Sequence, residues 1–317
     1  MEFLFLNKTK LRCEVSGKNK KMKNKIQKKD SYFLCISGWF KDINNKFLVL
    51  LHLIKFRCPL EVIKYQFMYL LTDIFIYPPV RIIFGKIRAR RIGGSFLGFF
   101  CSSIFSLPFP LKGKLVMKSW TDHGPYEEIY IKDTYSQKIL KGGMNVIDVG
   151  ANIGVYTVLA AEKVGKNGKV IAIEPEIENY KRLIENIQLN NFRNVITQNI
   201  ALTDHEGFEK LYLSSSFVDH SLIFQEDKNS YIKIPVKTID KLIEELNLKK
   251  IDIIKIDTEG SELPVLRGAE KTLKANPNIK IIVAAEHYPS EMKEVRQFFN
   301  ERGFKTKVSR DNIVTTV

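Results

Sequence analysis

Two groups of residues in the chain have the types and spacing of a ligand-binding site. The first is Asp148-Val149-Gly150-Ala151-Asn152-Ile153-Gly154, which follows an apolar run and precedes an amphipathic stretch. A strand, a glycine turn and a helix N-terminus present backbone N–H groups to a ligand. Glu174 ends the next apolar run about twenty residues later, where a carboxylate accepts hydrogen bonds from ribose hydroxyls.

The side chain of Asn152 decides which ligand this turn favours. A dinucleotide-binding turn has glycine at that position, so that a pyrophosphate can approach the backbone. Asn152 disfavours a pyrophosphate, and the carboxylate of Asp148 would repel a phosphate but attract a cationic group. A P-loop is excluded because no Gly-Lys-Ser/Thr follows the turn. The pattern therefore favours S-adenosylmethionine (SAM), which carries an ammonium and a sulfonium.

The second group of charged residues lies at the end of the strand-like run Ile251–Ile256 and in the turn after it. Buried carboxylates without partners are costly, so such a group is expected to be either paired or functional. Gly260 permits a tight turn within the group. The four charged residues are Lys255, Asp257, Glu259 and Glu262.

Three residues are candidate proton acceptors near this second group. Asp257 and Glu259 belong to it, and His287 follows the apolar run at 280–286, whose end is expected at the same edge of a sheet. His220 is a weaker candidate, since it lies in a polar loop. Lys255 is expected to neutralise the neighbouring carboxylates rather than to act as a base.

Short Val- and Ile-rich runs alternate with amphipathic stretches from about Leu111 onwards. This alternation predicts an α/β fold with βαβ units and a mostly parallel sheet, in which ligands bind beyond the C-terminal ends of the strands. The predicted strands are 145–149, 169–174, 195–201, 251–256, 280–286, 304–308 and 312–317. The predicted helices are 153–164, 176–189, 238–246, 264–274 and 290–302.

From about residue 126 to residue 304 the chain resembles the FkbM family of SAM-dependent methyltransferases. The matching segments, in order, are VIDVGANIGVYTVLAA, VIAIEPEIENYKRLIENIQLN, NIALTDHEG and VKTIDKLIEELNLKKIDIIKIDTEGSELPVLRGA. The resemblance implies a Rossmann-like class I methyltransferase fold: a doubly wound, mostly parallel, seven-stranded sheet with one antiparallel strand. It implies SAM as cofactor and methyl transfer to a hydroxyl of a sugar, a glycan or a glycosylated small molecule.

The resemblance also implies roles for individual residues. The turn at 148–154 is expected around the methionine part of SAM, Glu174 at the ribose and the segment 199–201 beside the adenine. The cofactor-binding residues are then Asp148, Gly150, Asn152, Gly154, Tyr156, Glu174, Asn199 and Ala201. The catalytic candidates are Asp257, Glu259 and His287. No metal ion is expected.

The charge of the chain is concentrated at its start. The whole chain of 317 residues has a formal net charge of +15, yet residues 1–120 carry 23 Lys and Arg against 6 Asp and Glu. The remainder is close to neutral, so the excess belongs to a segment that precedes the family match. A basic pI therefore does not by itself indicate a nucleic-acid partner.

These observations divide the chain into three parts. Residues 1–30 form a basic tail that is expected to be disordered, residues 31–110 a basic, aromatic and mainly helical extension, and residues 111–317 the methyltransferase domain. The uncharged stretch Ile92–Leu111 has three interpretations: packing against the domain, contact with an anionic membrane surface, or a spanning helix. With no secretory signal and no Cys-x-x-Cys pair, we expect a cytoplasmic protein, with membrane association through the extension as a hypothesis.

Three other functions remain open at this point. RNA ribose O-methylation is compatible with the site, although the segment after residue 256 lacks the Asp/Asn-Pro-Pro-aromatic motif of enzymes that methylate base amines. An NAD-dependent oxidoreductase is disfavoured by Asn152 and Asp148. A non-catalytic SAM-binding protein is disfavoured, because such a protein would not require the acidic residues at these positions.

Overall fold

The computed structural model describes residues 67, 103–106, 111–118, 122–131, 133–213, 221–223, 230–309 and 312–316. The predicted tail at 1–30 and all but five residues of the predicted extension at 31–110 lie outside them. The strands are β1 (Ser103–Ser106), β2 (Lys114–Met117), β3 (Asn145–Val149), β4 (Lys169–Ile173), β5 (Val195–Gln198), β6 (Ala201–Leu202), β7 (Gly207–Tyr212), β8 (Tyr231–Lys237), β9 (Ile253–Ile256), β10 (Lys280–Ala284), β11 (Lys305–Ser309) and β12 (Asn312–Thr316). The α-helices are α1 (His123–Tyr126), α2 (Val155–Val164), α3 (Ile177–Leu189), α4 (Ile239–Glu245), α5 (Glu262–Arg267), α6 (Glu270–Ala275) and α7 (Glu291–Glu301).

A seven-stranded sheet with the order β11-β12-β10-β9-β3-β4-β5 organises these elements. Only β12 runs antiparallel to its neighbours β10 and β11, and the other pairs within this sheet are parallel. Val149 pairs with Ile173 on one side and Ile256 on the other. The C-terminal ends of β4, β3 and β9 therefore lie side by side, and the expected class I methyltransferase fold is confirmed.

The two faces of the sheet are covered by different helices. Successive residues of a strand point to opposite faces. In β4, Ala172 packs with Leu183 and Ile187 of α3, whereas Ile171 and Ile173 belong to a core that includes α4 and α5. This burial on both faces explains why the central strands are almost continuously apolar.

Helix α3 shows how the sequence fixes an element beside the site. Its N-cap is Glu176, whose side chain accepts a hydrogen bond of 2.7 Å from the backbone N–H of Asn179. A capping carboxylate satisfies an orphan donor and complements the helix dipole. The helix therefore begins shortly after Glu174, and its start holds the end of β4 in place.

The sequence predicts one continuous helix at 264–274. This prediction is wrong, because the structure has two helices there, α5 and α6. The break falls at Gly268, where a Cβ would stand 2.1 Å from the carbonyl oxygen of Thr203. This close approach of two backbone segments requires glycine and turns the chain. The predicted strand at 195–201 is likewise divided, into β5 and β6.

A three-stranded sheet with the order β6-β8-β7 was not predicted. Strands β7 and β8 are antiparallel, with Lys210 opposite Lys233 and Tyr212 opposite Tyr231. Phe208 and Tyr231 are exposed by 64% and 43%. One open face gives these strands a mixed composition rather than the apolar runs that identified the central strands.

The strand pair β1–β2 precedes the main sheet and is attached to α3. The side chain of Asn186 accepts from the backbone N–H of Val116 at 2.6 Å, and Asn190 bonds both the N–H and the carbonyl of Lys114. Strand β1 lies within the stretch 92–111, so this part of the predicted helical extension is a strand paired with β2. No helix in the described part of the chain is long and apolar enough to cross a membrane.

Candidate active site

The glycine turn between β3 and α2 is left-handed at three positions. Gly150, Asn152 and Gly154 have φ angles of 73°, 51° and 89°. A Cβ on Gly150 would stand 1.8 Å from the carbonyl oxygen of Asp257, so this position accepts only glycine without movement of the backbone. The turn of β3 and the end of β9 are thus in direct backbone contact.

Glu174 joins the glycine turn to the end of β4. Its Oε2 accepts the backbone N–H of Asn152 at 2.8 Å, and its Oε1 accepts that of Glu176 at 2.9 Å. Each carboxylate oxygen keeps a second lone pair, which suits two ribose hydroxyls. Burial raises the pKa of Glu174 to about 7, against the opposing effect of these two N–H groups.

Asp148 lies beneath the glycine turn rather than in the wall of the cavity. Its Oδ2 accepts a hydrogen bond of 2.6 Å from the Thr157 hydroxyl of α2, and its Oδ1 is 3.3 Å from the Lys255 ammonium. Lys255 also donates to the carbonyl of Gly150 at 2.8 Å and lies 3.6 Å from Asp257. Although burial lowers the pKa of Lys255, the charges of Asp148 and Asp257 raise it, so the ammonium stays charged. The expected neutralising role of Lys255 matches these contacts.

A cavity of about 280 Å³ opens at the C-terminal ends of β3, β4 and β9. It brings together the turn, the ribose-side carboxylate and the charged group after β9. The predicted site residues that line it are Gly150, Asn152, Tyr156, Glu174, Ala201, Asp257, Glu259 and His287. Asp148, Gly154 and Asn199 do not line it.

Gly154 and Asn199 support the cavity from behind. Gly154 is the N-cap of α2, and a Cβ there would stand 2.6 Å from the side chain of Leu183. The Asn199 amide donates to the carbonyls of Glu174 and Pro175, each at 2.9 Å. The structure thus places both residues as supports of the loops they belong to, where the sequence predicted contact with the cofactor.

Two tyrosines form part of the cavity wall. Tyr156 is 1% exposed, and its hydroxyl has no hydrogen-bond partner among the described residues. Its ring packs edge-on against Tyr135 at 5.8 Å. The Tyr135 hydroxyl donates to Oδ2 of Asp257 at 2.7 Å. Sequence reasoning missed Tyr135, because it lies upstream of β3 in a segment with no recognisable motif.

Four carboxylates surround the imidazole of His287. Its Nε2 is 3.5 Å from Glu259 and 3.8 Å from Asp257, and its Nδ1 is 3.2 Å from Glu291 and 3.5 Å from Glu262. Burial lowers the pKa of His287, but hydrogen bonding to Glu262 and Glu291 and the charges of Glu262 and Glu259 raise it to about 11. The surrounding carboxylates therefore favour the imidazolium form of His287 in the unliganded protein.

Glu262 and Glu291 connect the loops after β9 and β10. Glu262 accepts the backbone N–H of Thr258 at 2.7 Å, and Glu291 accepts that of His287 at 2.8 Å. Both side chains are fully buried. Burial and the facing carboxylate of Glu291 raise the pKa of Glu262 to about 7, against the lowering effect of His287. These two glutamates fix the loops that carry Asp257, Glu259 and His287. The other histidine candidate, His220, lies outside the described residues.

The cavity residues fit SAM. Glu174 provides acceptors for ribose hydroxyls, Gly150 allows close approach to the backbone, and the buried Tyr156 hydroxyl provides a free polar group in the wall. Bound SAM supplies an electrophilic methyl group. A class I fold with this site at its strand ends defines a SAM-dependent methyltransferase.

Residues 148–306 match the family model described as the methyltransferase FkbM domain. The match covers half of the chain, and the protein belongs to the FkbM family of SAM-dependent methyltransferases. The expected family and cofactor are therefore confirmed.

Individual proteins are similar at low identity. Methyltransferase 1 of Beauveria bassiana is 24% identical over 165 residues, 46% of this chain and 66% of that protein. The hexuronic acid methyltransferase AglP of Haloferax volcanii is 26% identical over 170 residues, 52% of this chain and 65% of that protein. The crystal structure of methyltransferase FkbM from Methylobacillus flagellatus KT is 14% identical with a TM-score of 0.45, covering 87% of this chain and 60% of that one. The chain spans less than two thirds of the length of each, from 60% to 66%.

Proposed function

We propose that the protein is an O-methyltransferase whose acceptor is a hydroxyl of a sugar or a sugar-bearing molecule. One observation carries the proposal: Asp257, Glu259 and His287 line the same cavity as Gly150 and Glu174. Charged groups thus lie next to the place where the fold and Glu174 favour binding of the methyl donor. A hydroxyl that enters the cavity meets carboxylate oxygens that can hold it and take its proton.

The reaction that this arrangement supports is an in-line displacement. The acceptor oxygen forms a bond to the methyl carbon as the carbon–sulfur bond breaks, and the sulfur keeps the bonding electrons. The hydroxyl proton passes to a carboxylate of the site, Asp257 or Glu259. Alignment of the reacting groups contributes up to roughly 7–11 kcal/mol in favourable cases, and a positioned base adds roughly 10²–10⁴-fold.

The polarity of the acceptor side favours a sugar. Asp257 and Glu259 are about one third exposed, with side-chain exposures of 28% and 32%, and Glu286 is also part of the lining. Carboxylates are pure acceptors, so they suit a ligand with several hydroxyl donors. The name of the Haloferax volcanii relative, a hexuronic acid methyltransferase, points to the same acceptor class.

The proposal is tested by incubating the full chain with SAM and a panel of acceptors, followed by mass spectrometry. The panel contains neutral sugars, hexuronic acids, glycosylated small molecules and RNA. We expect one methyl group to be added to a hydroxyl of a sugar-containing acceptor. We expect Asp257→Asn to lower kcat by roughly 10²–10⁴-fold.

Glu244→Gln is the matched control, because that side chain is 73% exposed on α4 and is not part of the cavity. It is expected to leave kcat unchanged. Methylation of RNA alone, or methylation of nitrogen rather than oxygen, would contradict the proposal.

A further inference from the structure

The group formed by Asp257, Glu259 and His287 has a geometry that proton transfer alone does not explain. Each of the three residues offers one ligand atom, two carboxylate oxygens and an imidazole nitrogen, and these atoms lie within 4.8 Å of one another. All three line the cavity at the acceptor side. One nitrogen and two oxygens converging on a small volume form a donor set for a metal ion.

The orientation of His287 is fixed from behind by a buried carboxylate. Glu291 is fully buried, and its Oε2 lies 3.2 Å from Nδ1 and 2.8 Å from the backbone nitrogen of the same histidine. In metal sites the ligating histidine typically gives its other ring N–H to such a carboxylate, which fixes the tautomer and the ring plane. Binding of a cation displaces the proton from Nε2, while Nδ1 keeps its hydrogen, and the lone pair of Nε2 then faces Asp257 and Glu259.

The position of Nε2 is a second observation that points to a ligand. The His287 side chain is only 9% exposed, and among the described residues Nε2 makes two ion-pair contacts but no hydrogen bond. Its neighbours are Glu259 at 3.5 Å and Asp257 at 3.8 Å. Neighbouring ligands of one octahedral ion are about 3 Å apart, given metal–oxygen bonds of roughly 2.0–2.1 Å. Small side-chain movements would therefore bring the three atoms onto one ion.

The two carboxylate oxygens of Asp257 have different contacts. Oδ2 accepts from the Tyr135 hydroxyl at 2.7 Å and faces Lys255 at 3.6 Å. Oδ1 is the oxygen that faces His287. The contacts on Oδ2 hold the carboxylate in place and leave Oδ1 directed towards the gap.

We propose that Asp257, Glu259 and His287 bind one divalent cation of the Mg²⁺ or Mn²⁺ class. Two carboxylates suit these hard ions, and the imidazole favours Mn²⁺ over Mg²⁺. Building on the proposed O-methylation, the ion binds the acceptor hydroxyl together with a neighbouring oxygen and lowers the pKa of that hydroxyl. The released proton passes to the carboxylate oxygen of Glu259 that does not bind the ion, so the ion would fix both the position of the acceptor and the release of its proton.

Metal binding is tested directly on the full chain after chelation and removal of the chelator. Mn²⁺ is titrated and the free ion is followed by electron paramagnetic resonance, with Mg²⁺ as competitor. We expect one Mn²⁺ site. Glu291→Gln, which changes the carboxylate behind the histidine, is expected to weaken the site by roughly 10–100-fold. Glu259→Gln and His287→Asn remove ligands and are expected to weaken it more.

The surface variant Glu244→Gln is the control and is expected to bind Mn²⁺ like the wild type. Circular dichroism and the thermal midpoint establish that each variant is folded. Absence of a Mn²⁺ site in the wild type overturns the inference, as does binding that Glu259→Gln and His287→Asn leave unchanged.

Activity separates this inference from the proposed function. Methyl transfer to a sugar hydroxyl that persists at full rate with excess chelator overturns the metal site and leaves the O-methyltransferase proposal standing. A Mn²⁺ site that depends on Glu259 and His287, with no transfer to any hydroxyl in the panel, overturns the proposed function alone.

Discussion

The backbone N–H of Asn152 donates a 2.8 Å hydrogen bond to Oε2 of Glu174. This contact joins the glycine turn after β3 to the end of β4, and Asn152 adopts the left-handed φ of 51° that it requires. The turn and the ribose-side acceptor therefore form one unit. A change in Glu174 should affect both the cofactor and the shape of the turn.

We predict that Glu174→Gln weakens SAM binding by about 10–100-fold. An amide keeps one acceptor oxygen but replaces the other by a donor, which removes a charge-assisted hydrogen bond of roughly 1.5–3 kcal/mol. Calorimetric titration with SAM measures the loss. Glu178→Gln on α3 is the control, since that side chain is 60% exposed and makes only a surface ion pair. Equal affinities of the two variants would contradict the assignment of Glu174 to the ribose.

The pKa of about 7 at Glu174 predicts a pH dependence of SAM affinity. Ribose hydroxyls donate to the ionised carboxylate, so affinity should rise by about tenfold between pH 6 and pH 8 as Glu174 loses its proton. The α-amino group of SAM titrates in a similar range and contributes to the pH dependence of SAM affinity. The same measurement on Glu174→Gln gives that contribution, which is subtracted from the profile of the wild type. An identical pH profile in both proteins would refute the prediction.

The stability of the ligand-free protein should depend on pH with the opposite sign. The pKa of Glu174 is higher in the folded state than its ordinary value of 4.5, so the folded state binds this proton more tightly. The contribution of Glu174 to the free energy of unfolding is complete below pH 4.5 and is lost as the pH rises to about 7. Chemical denaturation of wild type and Glu174→Gln across this range measures the difference.

The sequence predicted the ends of β4 and β9 well and the side-chain partners poorly. A charge directly after an apolar run marks where a buried strand ends, which placed Glu174 and Asp257 correctly. Spacing alone did not reveal that the carboxylate of Asp148 is bound by Thr157 and Lys255. Thr157 lies in the helix after Asp148, and Lys255 lies far along the chain on β9. Only the packing of α2 and β9 against β3 brings their side chains to Asp148.

We predict that Gly150→Ala lowers the free energy of unfolding by about 3 kcal/mol or more and impairs SAM binding. The new Cβ would stand 1.8 Å from the carbonyl oxygen of Asp257, in addition to the strain of a φ of 73°. Gly143→Ala is the matched control, because its φ is 83° but a Cβ there meets nothing within 4 Å. It should cost only about 1–2 kcal/mol. Chemical denaturation of both variants separates the clash from the strain, and similar losses would contradict the close approach.

We predict that Lys255→Met is among the most damaging single changes in the domain. Lys255 is 3% exposed and lies 3.3 Å from the fully buried Asp148, so its loss leaves a buried carboxylate without its counter-charge. Breaking a buried pair in this way costs about 3–5 kcal/mol. Lys250→Met is the control, since that side chain is 72% exposed in its pair with Asp252 and the pair should contribute about 0–1 kcal/mol.

The double variant Asp148→Asn with Lys255→Met tests the cause of that loss. If the cost arises from an uncompensated charge on Asp148, the double variant should be more stable than Lys255→Met alone, as measured by denaturant unfolding. Thr157 can still donate to the amide oxygen of the substituted side chain, at the position where it now donates to Oδ2 of Asp148 at 2.6 Å. Because Asp148 is not part of the cavity lining, Asp148→Asn alone should weaken SAM binding less than Glu174→Gln does. A larger loss of SAM affinity in Asp148→Asn would instead show that this carboxylate turns towards the cofactor.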